Sequence, residues 1–506
     1  LRISCSGIRE DSEGAKGEQF SHNLNSHEFS YETVAQEKRK RMGFNMRILL
    51  ASLALISVFQ ISAQAEERPP NFVIIFIDDM GYGDIGPFGS KKNATPHLDR
   101  MAEEGLKLTS FYVASPVCTP SRAALMTGCY PQRVGLNRGP GHIVLFPGDA
   151  SGLNPSEITM AEILKEKGYA TGCFGKWHLG DQPGFLPTDN GFDTYYGIPY
   201  SNDMWPGLKR WPFPDLPVLE GNKVKYLVKD MDDQAELCKR FTEEAIKFIT
   251  KNKDKPFLCY VPHAFVHWPR KATPKFMAQA ANETEAQVEE VDWSAGQILQ
   301  AVRDLKLDKH TMVIFTSDNG PAGGLSAGPL RGRKGSQFEG GHRVPTVAWW
   351  PGTIPAGSVC NEMATSMDLL PTFAKLAGTA APTDRVIDGK DIWPLLSGQK
   401  GAKTPHDKFF YQQGGNLAAV RSGDWKLLTN GQLFNLKDDL PESKNIAAQH
   451  PEKAAELKKM LDEFRREVEK NKRPVGKVAK SRTLVPRPGV EGEEGYLPTL
   501  SVRKRK

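Results

Sequence analysis

Cysteine is scarce in this chain, seven in 506 residues, and no group of Cys and His has zinc-finger spacing, which excludes a structural zinc module. Cys5 precedes residue 46, and Cys118, Cys129, Cys173, Cys238, Cys259 and Cys360 follow it at spacings that specify no disulfide framework. Internal repeats are absent, which excludes a solenoid or a propeller. Long apolar runs are absent too: residues 48–61 form one, too short to cross a bilayer comfortably, and no other segment reads as transmembrane. Charge of one sign is not in large excess. The net charge of +6 includes basic residues in both tails, so it gives little support to a polyanionic partner, and no nucleic-acid partner is expected.

What is present suits one large α/β domain and a smaller one, with 39% hydrophobic residues to build the cores. Residues 1–45 are polar and aperiodic and are expected to be an extension upstream of the native start. Met46-Arg47, the apolar run and Ala63-Gln64-Ala65 give residues 46–65 the order of a secretory signal peptide, with an N-terminal membrane anchor as the alternative. No cysteine follows the run, which argues against a bacterial lipoprotein. The mature chain is expected to be exported, periplasmic or secreted, with no stable membrane span.

From residue 68 to about 400, apolar strands alternate with helical periodicity. Strands are expected at 71–77, 169–174, 256–261 and 312–316, and helices at 232–251 and 291–305. Asn154-Pro155-Ser156-Glu157 has the order of a cap, a first-turn proline and a capping acid, with Met160, Ile163 and Leu164 on the following helical face. Such alternation predicts a mostly parallel sheet with helices on both faces. Within 401–470, short runs at 409–411, 417–420, 425–428 and 432–436 precede an amphipathic helix at 451–470, the pattern of a small antiparallel sheet with a packed helix. Residues 471–506, rich in Lys, Arg, Pro and Gly, are expected to be a flexible basic tail.

Polar motifs follow the predicted strands. Asp78-Asp79 ends the first, Lys176 and His178 follow the second, His263 and His267 the third, and Asp318-Asn319 the fourth. Ligands of such sheets gather at the carboxyl ends of strands, so these distant residues can converge. The acids and the amide are hard oxygen ligands that suit Ca²⁺ or Mg²⁺ better than zinc. Lys176 and His178 are two apart, the spacing that places strand side chains on one face, between Gly175 and Gly180. Cys118 stands where a helix should begin, with Thr119 as cap, Pro120 in the first position and Gly128 as terminator. That end attracts anions. Taken singly, each motif has an ordinary reading as a loop start, a turn or a buried side chain.

Together, Phe76-Ile77-Asp78-Asp79-Met80-Gly81, Cys118-Thr119-Pro120-Ser121-Arg122, Gly175-Lys176-Trp177-His178-Leu179-Gly180, Thr316-Ser317-Asp318-Asn319-Gly320 and the segment from Pro329 through Lys334 to Gly341 resemble the blocks of the formylglycine-dependent sulfatases, in family order. The resemblance spans about residues 71–461 and is nearest the arylsulfatase A and N-acetylgalactosamine-6-sulfatase type. It implies an alkaline-phosphatase-like fold and hydrolysis of sulfate esters, on a sulfated carbohydrate or an aryl sulfate, to alcohol and inorganic sulfate. A formylglycine-generating maturation enzyme would oxidise Cys118, leaving five later cysteines and at least one unpaired. One divalent ion, Ca²⁺ with Mg²⁺ as alternative, would be held by Asp78, Asp79, Asp318, Asn319 and residue 118. The hydrated aldehyde would attack sulfur, and its spare hydroxyl would expel sulfate from the formylglycine-sulfate intermediate.

By the same resemblance, His178 is the base for that hydroxyl and Lys176 contacts sulfate, while Arg122 holds the hydrate. His267, followed two residues later by Pro269, matches the general acid better than His263 does, and Lys334 shares its role and binds sulfate. Ser201, Asn202 and Asp203 match a block near the substrate; Trp205, Trp211 and Trp268 are candidates for stacking on a sugar or for packing. Gly332, Gly335, Gly340 and Gly341 read as backbone turns. Departures from the family are Cys129, where many relatives have Arg, and Arg333, where many have Gly. Two alternatives stand beside this reading. One is a phosphomonoester or phosphonate ester hydrolase of the same superfamily, against which Asp318-Asn319 speaks because two-zinc relatives have Asp-His there. The other is a non-catalytic sulfated-glycan-binding protein whose Cys118 is never oxidised.

Overall fold

Seven consecutive residues, Asn71–Ile77 (β1), are all buried, as a strand covered on both faces requires. A computed structural model describes residues 36–42, 68–208 and 211–497. Residues 36–42 are helical and belong to a unit of their own ahead of Arg68. The expected signal peptide at 46–65 and most of the upstream extension lie outside the described residues.

The other strands of the main sheet are Leu106–Leu108 (β2), Ala170–Lys176 (β3), Thr194–Ile198 (β4), Leu216–Glu220 (β5), Lys223–Val228 (β6), Phe257–Pro262 (β7), Thr311–Ser317 (β8), Thr346–Trp349 (β9) and Ser358–Cys360 (β10). They form one ten-stranded sheet in the order β10-β2-β9-β8-β1-β7-β3-β4-β5-β6. Its centre, β8-β1-β7-β3-β4, is parallel throughout, and antiparallel strands extend it on both sides. The register keeps the carboxyl ends level: Ile77 lies opposite Ser317, and Phe76 opposite Pro262. Gly175 in β3 shows why this edge tolerates no side chain, since a Cβ there would stand 2.0 Å from the Pro262 carbonyl oxygen of β7.

Local signals were shifted in three places. Helix Met160–Glu166 is capped by Thr159 with a reciprocal box to Glu162, not by Asn154 and Glu157, which close a turn of their own ahead of it. Helix Glu283–Asp304 begins well before residue 291, because Asn282 caps it and its first turns bury the polar Glu285, Gln287 and Glu290. Helix Cys118–Thr127 is preceded by extended Val117, so Cys118 is its first residue and Thr119 does not cap it. The Thr119 hydroxyl instead accepts from the Leu145 N–H at 3.2 Å. Gly128, in the left-handed region at φ 66°, ends that helix as expected.

The smaller antiparallel sheet is Phe409–Gln413 (β11), Asn416–Ser422 (β12), Trp425–Leu428 (β13) and Leu433–Asn435 (β14), in sequential order, packed by helix Pro451–Asn471. Its core includes Tyr112, Ala114, Ala124 and Tyr130 of the large domain, so this subdomain buttresses the Cys118 helix from behind. Parts of residues 473–485, inside the tail expected to be flexible, pack onto the large domain. Gly476–Lys477 pairs with Ser151–Gly152, Leu484 and Val485 are buried, and Arg473 forks onto Glu157 at 2.7 and 2.9 Å. The same guanidinium lies 3.5 Å from the sulfur of Cys129, so a distant arginine serves the position where the chain departs from its relatives.

Candidate active site

The level carboxyl ends of β1, β3, β7 and β8 deliver Asp78 and Asp79, Lys176 and His178, His267, and Asp318 and Asn319 to one place, and helix Cys118–Thr127 points its first residue there. Asp78, Arg122, Lys176, Asp318 and Asn319 are fully buried, a density of charge that only mutual pairing permits. Arg122 donates to Asp318 at 2.8 and 3.1 Å and to the Lys176 carbonyl at 2.8 Å, and stands 3.6 Å from Asp78. Lys176 pairs with Asp78 and donates to Ser201 Oγ at 3.1 Å. Lys334 Nζ is 2.6 Å from Asp79, and Asn319 donates to the same carboxylate at 2.8 Å. Asp79 and His178 both have positive φ, 66° and 62°, the conformation that turns each chain back sharply at its strand end.

Burial opposes charge on these groups, and their neighbours decide the outcome. It pushes Asp78 up, but Lys176 and other cations outweigh it and hold this carboxyl well below the usual range. Asp318 is pushed up to about 7 by burial and by Asp78, against Arg122. Burial, then Lys176 and Arg122, hold His178 well below an ordinary imidazole, so it is neutral. Burial, with Asp78, pushes the Cys118 thiol far above neutrality, and its sulfur lies 3.4 Å from Asp78. Burial thus disfavours the thiolate form of an unmodified residue 118.

Ligand atoms of Asp78, Asp79, Cys118 and His267 lie within 4.8 Å of one another. The buried side-chain oxygen of Asn319 has no hydrogen-bond partner, and Asp318 stands beside it. These oxygen-rich groups fit a hard divalent ion. His267 is a member of this cluster that sequence reasoning did not include among metal ligands.

A cavity of about 560 Å³ opens onto the site, lined at its inner end by Cys118, His178, Ser201, His267 and Lys334. Asp203 also lines it, and of the lining residues Trp211 and Trp268 are exposed. Asn202 does not line it: the side chain is buried toward Gln234, whose amide donates to the Asn202 carbonyl at 2.8 Å. Trp205 is buried in the core, and Arg333 is exposed away from the cavity. His263 also stays outside, bonded to Ser294 Oγ at 2.9 Å and pushed down to about 3 by burial. Sequence reasoning missed the wall formed by Ile143, Val144, Phe146, Leu208 and Phe213, loop residues without periodicity. A larger cleft of about 640 Å³, beside residues 351–356, gathers none of the converging groups.

A mixed sheet with this buried, cation-lined centre at its carboxyl edge is a setting that can receive an anionic ester. Residues 70–379 match the sulfatase family, and residues 334–470 match the C-terminal part of N-sulphoglucosamine sulphohydrolase. The chain is similar to arylsulfatase A of Homo sapiens, 39% identical over 412 residues that cover 76% of this chain and 78% of that protein. It is similar to N-acetylgalactosamine-6-sulfatase of Canis lupus familiaris, 38% identical over 393 residues covering 74% of each. Among solved structures, Ps i-CgsB in complex with k-i-k-neocarrahexaose matches with a TM-score of 0.70 at 30% identity, over 78% of this chain and 93% of that one. The chain belongs to the sulfatase family, with the alkaline-phosphatase-like fold of its relatives, and is a sulfuric ester hydrolase.

Proposed function

We propose that this protein hydrolyses sulfate esters of carbohydrates, with residue 118 carried as formylglycine and one Ca²⁺ held by Asp78, Asp79, Asp318, Asn319 and residue 118. The observation that carries this reading is the burial of Cys118, at a helix N-terminus, among Asp78, Lys176 and Arg122. The ion, held by those residues, would supply Lewis-acid polarisation of a sulfate oxygen, and the aldehyde hydrate at 118 would supply a hydroxyl nucleophile with a second hydroxyl to spare. Lys176, Arg122 and Lys334 surround the sulfate with positive charge and stabilise what develops as sulfur is attacked.

The histidines divide the proton work. His178 Nε2 lies 2.9 Å from the Leu145 carbonyl, a bond that needs its proton there, so Nδ1 is the bare nitrogen, and it has no other partner. Neutral and unpartnered, Nδ1 can accept a proton from the spare hydroxyl. His267 donates Nδ1–H to the Trp268 carbonyl at 2.6 Å, which leaves Nε2 facing the site 3.6 Å from Asp79. Nε2 is thus the ring nitrogen that can pass a proton to the leaving oxygen. Ser201 and Asp203, which line the cavity, would meet the leaving alcohol.

The carbohydrate assignment is supported by the exposed rings of Trp211 and Trp268 and by the carrahexaose bound to the similar Ps i-CgsB. The signal-like segment at 46–65 supports export, and no described helix is long and apolar enough to cross a membrane. Peptide mass spectrometry of the exported protein, with sulfate release measured on defined sulfated sugars, tests the proposal. Fully active protein carrying only unmodified cysteine at 118 would refute it.

A further inference from the structure

Two loops meet behind His178. One leaves β3 and carries residues 178–182, the other is the segment 143–153, and three hydrogen bonds join them: His178 Nε2 to the Leu145 carbonyl at 2.9 Å, the Gly148 N–H to Asp181 Oδ2 at 2.7 Å, and the Leu153 N–H to the Leu179 carbonyl at 2.8 Å. Leu145 is held from its other side too. Its N–H donates to the hydroxyl of Thr119, the residue next to the nucleophile position, at 3.2 Å. The carbonyl that fixes the His178 tautomer is therefore itself fixed, by Thr119 on the same residue and by Asp181 three residues on. Asp181 is only 3% exposed, and its Oδ1 accepts from the Gln182 amide at 2.6 Å. That amide also donates to the Arg482 carbonyl at 2.7 Å, and its oxygen accepts the Arg482 N–H at 2.9 Å, so the C-terminal segment closes over the carboxyl group. Burial pushes Asp181 up to about 7, and in either protonation state an oxygen can accept from Gly148. Acids perturbed in this way concentrate at functional sites.

We propose that Thr119 and Asp181 are positioning residues for His178, acting on the sulfate-release step through the segment 145–148. This rests on the reading of His178 as the base given above. In that step Nδ1 takes the proton of the spare hydroxyl at residue 118 while the C–O bond to sulfate breaks, its electron pair leaves with the sulfate and the aldehyde returns. Nδ1 is free for this only while Nε2 keeps its proton, and Nε2 keeps it because the Leu145 carbonyl is there to accept. Without Asp181 the Gly148 N–H loses its acceptor, and without Thr119 the Leu145 N–H does, so the loop and its carbonyl are released to move. A misplacement of about 1 Å is enough to cost roughly a hundredfold in rate. Neither residue lines the cavity, so attack on sulfur and departure of the alcohol are left in place.

Wild type, Asp181→Ala, Asp181→Asn, Thr119→Val, His178→Ala and the double variant of Asp181→Ala with His178→Ala are compared by rapid quench on nitrophenyl sulfate and phenyl sulfate. Rates are taken per formylglycine at 118, since Thr119 adjoins it. Asp181→Ala and Thr119→Val should release alcohol in a burst and then sulfate about tenfold to a hundredfold more slowly than wild type. Their kcat should also be equal for the two esters, because the alcohol has left before the slowed step, whereas a loss of stability alone moves neither readout. Asp181→Asn keeps an oxygen for Gly148 and should recover part of the rate. Asp181→Ala should cost little once His178 is gone, since the two act as one unit. Alcohol and sulfate released in step by the Asp181→Ala and Thr119→Val proteins, or an equal cost of Asp181→Ala in the wild-type and His178→Ala backgrounds, overturns the inference and leaves the sulfatase reading intact. Where Asp181→Ala does not fold, the Thr119→Val arm decides. His178→Ala protein that turns over like wild type sinks the reading of His178 as base, and this inference with it.

Discussion

Replacing Lys426 by Met should destabilise the fold by about 3–5 kcal/mol, because it strands two carboxylates and not because it removes a contact. The Lys426 ammonium is fully buried, 3.1 Å from Glu339, 2.7 Å from Glu442 and 3.7 Å from the centre of the Tyr411 ring. Met fills much of the same volume without the charge. Glu339 then still accepts from the hydroxyls of Tyr112 at 2.5 Å and Tyr411 at 2.6 Å, and Arg343 stands 3.6 Å away. Glu442 retains the Glu339 N–H at 2.7 Å. The two acids are already unequal. Burial pushes Glu339 up, but Lys426 and two arginines hold it below the usual range, whereas burial outweighs Lys426 at Glu442 and pushes it up. Glu442→Gln added to Lys426→Met should therefore recover more stability than Glu339→Gln does, by a coupling of about 1–3 kcal/mol. A chain of this size can unfold irreversibly, so thermal inactivation rates are followed beside urea midpoints. A loss of 4 kcal/mol corresponds to roughly a thousandfold change in the folding equilibrium. Sulfate release should fall too, since Arg331, in the loop that carries Lys334, donates to the Glu442 carbonyl at 2.6 Å. A loss below about 1 kcal/mol, or a double variant no more stable than the single one, would refute the reasoning.

Asp318→Ala should bind Ca²⁺ far more weakly and lose turnover, since it removes one carboxylate from a site with few ligands; metal analysis and calorimetry check this, and two tightly held zinc ions needed for activity would favour the phosphatase alternative. His178→Ala should release alcohol in an initial burst without sulfate, and His267→Ala should slow alcohol release itself, most for sugar esters and least for nitrophenyl sulfate, whose leaving group needs little protonation; rapid-quench assays distinguish the two. Burial pushes the imidazole of the half-buried His406 down, but the charge of Asp368 and the hydrogen bond to it at 2.7 Å together outweigh that, so its pKa is raised. The stabilisation is complete below the free imidazole value of about 6.5 and is lost as pH rises through the folded value. The stability gap between wild type and His406→Gln should accordingly shrink across that rise, and urea titrations that show it widening would contradict the assignment.

The centre of the fold was legible because it is covered on both faces. β1 coincides with the apolar run at 71–77, and β3, β7 and β8 fall within two residues of their expected limits. Strands β5, β6 and β9, toward the margins, carry no such run; β5 and β6 pair with each other across the turn at 221–222, and their attachment to β4, like that of β9 to β8, joins segments separated in sequence. Helix Glu283–Asp304 hid its first turns because Glu285, Gln287 and Glu290 sit in its buried face, reversing the polarity that periodicity reads. Composition also hid the packing of residues 473–485. Leu484 and Val485 bury themselves and Arg473 finds Glu157, and three well-placed contacts outweigh a stretch of Lys and Pro.

At the site, legibility followed chemistry. Asp78, Lys176, His178 and Asp318 were identifiable because a sheet of this topology can bring its ligands together only at strand ends, so position along the chain already implies convergence. His267 could be separated from His263 only by resemblance until their surroundings were seen: one faces the cavity, the other Ser294. Ile143, Phe146, Leu208 and Phe213 left no trace, since an apolar residue in a loop reads the same whether it meets the core or a substrate. Reaction class therefore lies in a few polar residues tied to strand ends. The side chains that line the rest of the cavity draw their meaning only from the loops that carry them, so they stay silent until the fold brings those loops together.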